Sequence, residues 1–307
     1  MTASLLWVPV TLFASLAQVW RNALQSDLTG KIGTLGATQV RFVYGLPFAW
    51  VFLGIAVALT GIVPVVAGWI QLGWIAAGAL AQIAATALML VAMRRQSFAM
   101  AYVYIKTEPV LIALGGIWLL GDRLSPLAWA GVVIATLGVM LAARPSAPKG
   151  GAGAGTGSLV IGIAAGALFG LSAIFFRGGI LASGMTLDGF AGPVVAALFA
   201  LALALTVQTA MLLGWMLLFD RKALTGSLAV WRVSMGAGFL GALASTGWFL
   251  AFALTPAANV RTLALVEMPA AALVNFRQSG KRLHRAEWLA MALVLSGVAM
   301  VLREAVR

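Results

Sequence analysis

Ten apolar stretches, each close to bilayer length, tile this chain of 307 residues almost from end to end. Crossing the hydrocarbon of a membrane takes about 20 such residues in a helix. The first five stretches run Leu5 to Leu24, Gly33 to Ala58, Leu72 to Met93, Phe98 to Leu120 and Pro126 to Ala143. The second five run Ser158 to Ile180, Pro193 to Leu218, Val233 to Leu254, Ala257 to Phe276 and Ala286 to Leu302. With 62% hydrophobic and 9% charged residues and a mean hydropathy of +1.03, there is too little polar surface to coat a soluble globule of this size. The expected fold is an all-α integral membrane protein of ten transmembrane helices. The first stretch lacks the basic leader of an export signal, so it is read as the first of these helices.

Composition also removes several kinds of chemistry. The chain has no cysteine, which excludes disulfides, thiolate metal sites and cysteine nucleophiles. Its single histidine, His284, sits in a basic run from Lys281 to Arg285 and reads as a solvated loop residue, so no metal site is expected. Catalysis needs a nucleophile, a metal set or paired acids at suitable spacing, and none stands in the apolar stretches; the chain is read as a non-enzyme without cofactors. The net charge of +12 is what basic loops beside transmembrane helices produce, and no nucleic-acid partner is expected.

Between the two sets of five lies the run Pro145 to Gly157, rich in proline and glycine, which reads as a flexible connector. Its glycines follow no strand and precede no Lys-Ser/Thr pair, so it is not a phosphate loop. The expected domains are residues 1–144 and 158–307, joined by 145–157. Sliding one half over the other by 159 residues aligns Glu108 with Glu267, Gly121-Asp-Arg-Leu124 with Gly280-Lys-Arg-Leu283, Trp129 with Trp288, Gly138-Val139 with Gly297-Val298 and Arg144 with Arg303. Such a match argues for duplication. Five helices is an odd number, so the second copy enters the membrane from the opposite side, the inverted arrangement that in transporters places a substrate site at the midplane.

Ionisable residues inside a span are expensive and mark pathways or coupling sites. Glu108, Glu267 and Lys106 are the deep ones. Arg261 lies four residues past Ala257, so its head is expected to snorkel to the interface. Arg41 is intermediate and long enough to reach one surface. Lys106 and Glu108 are two residues apart, about 200° on a helix, and a regular helix would turn them to different walls. Pro109 removes a backbone donor and crowds residue 105, so a kink or an unwound turn there lets both contribute. Tyr104 lies one turn before Glu108, and Tyr102 joins Lys106. Trp20, Tyr44, Tyr102, Tyr104 and Trp248 are candidates for stacking a flat substrate, set against the aromatic belts that membrane interfaces also collect.

The paired motifs carry a resemblance. Two five-helix halves, each with a glutamate near a proline (Glu108-Pro109 and Glu267-Met-Pro269), a Gly121-Asp122-Arg123-Leu124 turn and a helix closing in Leu137-Gly138-Val139 resemble the EamA-type branch of the drug/metabolite transporter superfamily. The match is strongest from Ala92 to Arg144; in the second half Lys281 replaces the acidic turn residue. The resemblance implies a ten-helix basket around a central cavity, secondary active transport in a bacterial inner membrane and, often, export of metabolites such as amino acids. On that reading the partners are a small-molecule substrate, protons and membrane lipids, in a monomer or homodimer. Glu108 and Glu267 then serve as coupling or amine-binding carboxylates, and Lys106 as a carboxylate contact. Export of hydrophobic cations, or lipid flipping, is the alternative.

An even helix count puts both termini on one side. Thirteen basic residues, Arg21, Arg94 and Arg95 among them, fall on the opposite face, against four on the terminal face: Arg123, Arg177, Arg303 and Arg307. The positive-inside rule therefore places the termini outside, whereas the resemblance implies termini inside.

Overall fold

The computed structural model describes residues 5–95, 105–106, 108–142, 156–269 and 285–306. Among these every regular element is a helix. In chain order they are α1 (Trp7–Val43), α2 (Leu46–Thr60), α3 (Trp69–Arg95), α4 (Pro109–Leu120), α5 (Pro126–Ala142) and α6 (Thr156–Leu181). There follow α7 (Ala191–Phe219), α8 (Arg221–Ala229), α9 (Trp231–Leu254), α10 (Ala257–Ala264) and α11 (Arg285–Val306). Among the described residues six helical stretches are long and apolar enough to span a bilayer, and α4 and α5 are shorter apolar helices. By length and composition the chain is a multi-pass membrane protein.

The first two expected spans meet without a loop. Were α1 straight, Gln25 and Ala37 would stand about 18 Å apart; instead the Gln25 side-chain amide donates to the Ala37 carbonyl at 2.9 Å. The chain doubles back at Gly33, whose φ of 74° a side chain would strain. Residues 25–32, expected as a connection, are helical, and Gln25, Leu28 and Thr29 are buried. The helix continues past the apolar run because neighbouring helices cover that turn. A second element outside the expected spans is α8, a short helix opening with Arg221 and Lys222.

Packing is between helices distant in sequence. The most extensive contacts join α3 to α6, α1 to α9 and α5 to α11, with α2 against α7. Small residues let these backbones approach, as membrane helices require in the absence of a hydrophobic drive between them. Ala14, Ala85, Ala135, Ala173, Ala237 and Ala244 are buried, while Leu59, Trp69, Trp118 and Leu218 project outward as a lipid-facing surface. Much of the expected fourth and ninth spans, and most of the expected connector, lie outside the described residues; Thr156 and Gly157, its last two residues, already belong to α6.

Candidate functional site

Two helix breaks build the centre. Before α4 the chain passes through turns at Lys106 and Glu108, and Pro109 opens the new helix, where its missing donor costs nothing. After α10 the helix gives way to tight bonds from the amides of Leu265, Val266 and Met268 to the carbonyls of Thr262, Leu263 and Leu265, at 3.0 to 3.1 Å. These three-residue steps are 3₁₀ geometry, and Pro269 explains them: it has no N–H for the Leu265 carbonyl and its ring crowds that oxygen. The break near Pro109 brings Lys106 and Glu108 onto one cavity, which a regular helix would forbid.

The charges cross between the halves. Lys106 pairs with Glu267, and Arg261 pairs with Glu108 at 3.3 Å. Lys106 is thus a counter-ion of Glu267. Arg261 corrects the expectation that it snorkels: it is buried, with its guanidinium 4.4 Å from the centre of the Trp248 ring and 5.6 Å from that of Phe252. The reason is that the start of α10 is itself interior, Ala257 and Ala258 being buried, so no interface is in reach. Arg41 likewise reaches no surface; it is buried and donates to the Thr86 hydroxyl at 3.1 Å.

Two adjoining cavities share Gln18, Phe169 and Arg261. One holds Arg21, Lys106 and Glu108; the other holds Arg41 and Trp248. Trp20 does not belong to them. It is 70% exposed, because Gln18, Arg21 and Asn22 take the inward face of α1 and leave Trp20 to the outside. Tyr44 packs against the backbone of α9 at Gly238 instead. Tyr102 and Tyr104 lie outside the described residues.

Arg21, expected on the face opposite the termini, is 1% exposed and donates to the Asn22 side chain at 2.6 Å. A signal was present. Gln18, Arg21, Asn22 and Gln25 follow the i, i+3, i+4, i+7 spacing that puts polar groups on one stripe of an apolar helix. Arg177, counted above as a terminal-face cation, is also buried. It grips Asp122 of the Gly-Asp-Arg-Leu turn at 2.9 Å and donates to the carbonyls of Thr255, at 3.0 Å, and Phe252.

No family model matches the chain, and no curated protein matches it. A solved structure described only as "Crystal structure of protein" superposes with a TM-score of 0.60, covering 99% of this chain and 97% of that chain at 19% identity. At that identity the likeness is one of fold. The helical arrangement is shared along the whole length.

Proposed function

We propose that the chain is a secondary transporter of small organic metabolites, amino acids among them, of the EamA type in a bacterial inner membrane. In this reading ten helices form two inverted five-helix repeats that exchange conformations, and protons are coupled through Glu108 and Glu267. The observation that carries it is the crossed charge pairs at two broken helices, each pair tying one half of the chain to the other. Protonating either carboxylate removes an attraction between the halves, which links a proton to their relative movement.

Packing supports the repeat. A Cβ on Gly138 would lie 2.8 Å from the Ala290 oxygen and 2.8 Å from the Val294 nitrogen. One on Gly297 would lie 2.4 Å from the Gly131 oxygen and 2.5 Å from the Ala135 nitrogen. Adding 159 to 131, 135 and 138 gives 290, 294 and 297, so each contact is the other with the halves exchanged. The α3–α6 and α1–α9 pairings are related in the same way. A pseudo-twofold axis through the α5–α11 crossing accounts for both, and discontinuous helices at its centre are where such transporters bind. The hydrophobic-cation reading is disfavoured, because four buried basic side chains surround two carboxylates.

The test is proton-driven flux in proteoliposomes. Glu108→Gln fills the same volume and cannot cycle a proton, so pH-gradient-driven flux of a phenylalanine or organic-acid panel is expected to vanish while the protein remains folded. Unchanged flux would make Glu108 structural.

A further inference from the structure

Six ionisable groups meet in the middle of the bundle, and their charges do not balance. Arg21, Arg41, Lys106 and Arg261 bring four positive charges; Glu108 and Glu267 bring two negative. No other carboxylate corrects the sum. Asp122 is engaged by Arg177, Asp27 and Asp188 are exposed, and Asp220, Glu287 and Glu304 stand at helix ends. Arg21 and Arg41 lie side by side, their side chains 3.5 and 3.4 Å from where a Cβ on Gly241 would stand. An excess of two positive charges inside an apolar bundle carries a large desolvation cost, and an anion is the ligand that relieves it.

The surroundings say what kind of anion. The cavity beside Arg41 and Arg261 is walled by Phe169, Phe176, Trp248 and Phe249; its volume of about 10 Å³ holds about one water, so the aromatic walls must part to admit a larger guest. Two buried donors there, Trp248 Nε1 and Arg261 Nε, have no hydrogen-bond partner among the described residues. Guanidinium groups bind carboxylates through parallel hydrogen bonds, and aromatic walls suit a flat ring. We infer that this cavity binds aromatic carboxylates as anions, in preference to zwitterions and cations. The inference rests on the transporter reading only for what becomes of the bound anion.

Phenylpyruvate, phenylalanine and phenethylamine share a benzyl group and differ in net charge, negative, neutral and positive. Equilibrium binding to the full chain in nanodiscs is expected to rank them in that order. Losing one hydrogen bond to a charged group corresponds to roughly tenfold in affinity, so phenylpyruvate should bind at least about tenfold tighter than phenethylamine. Arg41→Gln should erase most of that gap and Arg41→Lys should retain part of it; if neither variant folds, the wild-type order alone decides. Phenylalanine or phenethylamine binding as tightly as phenylpyruvate, or no phenylpyruvate binding, overturns the inference. Flux of the same three compounds in proteoliposomes separates the two readings. Preferential phenylpyruvate binding without flux of any compound leaves the anion site standing and removes the transporter. Phenylalanine or phenethylamine flux without phenylpyruvate binding does the reverse.

Discussion

Taking away one member of a buried ion pair strands the other, at a cost of about 3–5 kcal/mol, whereas removing both can be nearly neutral. Lys106→Met and Glu267→Gln should therefore each lower the thermal unfolding temperature of the detergent-purified protein, and the double variant should recover most of the loss; additive losses would show that the two side chains stabilise the fold independently. Asp122→Asn should be destabilising by a similar amount, because Arg177 then keeps only carbonyl acceptors; unfolding by heat or denaturant measures it. At this scale the sequence was informative about which residues are deep but not about their partners. Glu108, Glu267 and Lys106 stood out by charge alone. That Arg261 belongs with them depends on α10 beginning in the interior, which hydropathy does not register.

The glycines of the α5–α11 crossing let two backbones touch, and a methyl group there meets main-chain atoms first. Gly297→Ala should cost about 1–3 kcal/mol, as overpacking does, whereas Gly54→Ala on α2, with nothing within 4 Å of the added carbon, should leave stability unchanged or slightly raised. Thermal unfolding of the two variants side by side checks this; equal effects would mean the crossing is looser than described. Element positions were mostly legible because hydropathy reports the hydrocarbon crossing directly. The continuous helix into Gly33 was not, since the turn carrying Gln25 and Thr29 is polar yet covered by protein. Pro109 announced its break. The matching break at Leu265 and Val266 follows from Pro269 by the same rule, but the eight-residue α10 it leaves cannot be told from a full span by composition.

For the molecule as a whole, orientation is the open quantity that charge addresses. Removing the buried Arg21 and Arg177 from the two sides leaves the bias towards the face opposite the termini intact, so the loop with Arg94 and Arg95 is expected in the cytoplasm and the C-terminus outside. A fluorescent reporter fused after Arg307 tests this, and fluorescence restricted to a cytoplasmic fusion would reverse it. The shared motifs were readable because they recur in register at an offset of 159 residues. The charge excess was not, because it depends on which of many basic residues turn inward.

The Asp122–Arg177 clasp has no twin. At the equivalent positions in the other half stand Lys281 and Gln18, which cannot form the same bond. In the proposed transport cycle, where the halves trade places, a bond present in one half and absent from the other favours the arrangement in which it is closed. A difference of only about 1.4 kcal/mol makes one state tenfold more populated, so the protein at rest would wait with one mouth shut, and substrate arriving from the two sides would meet unequal odds of finding it open.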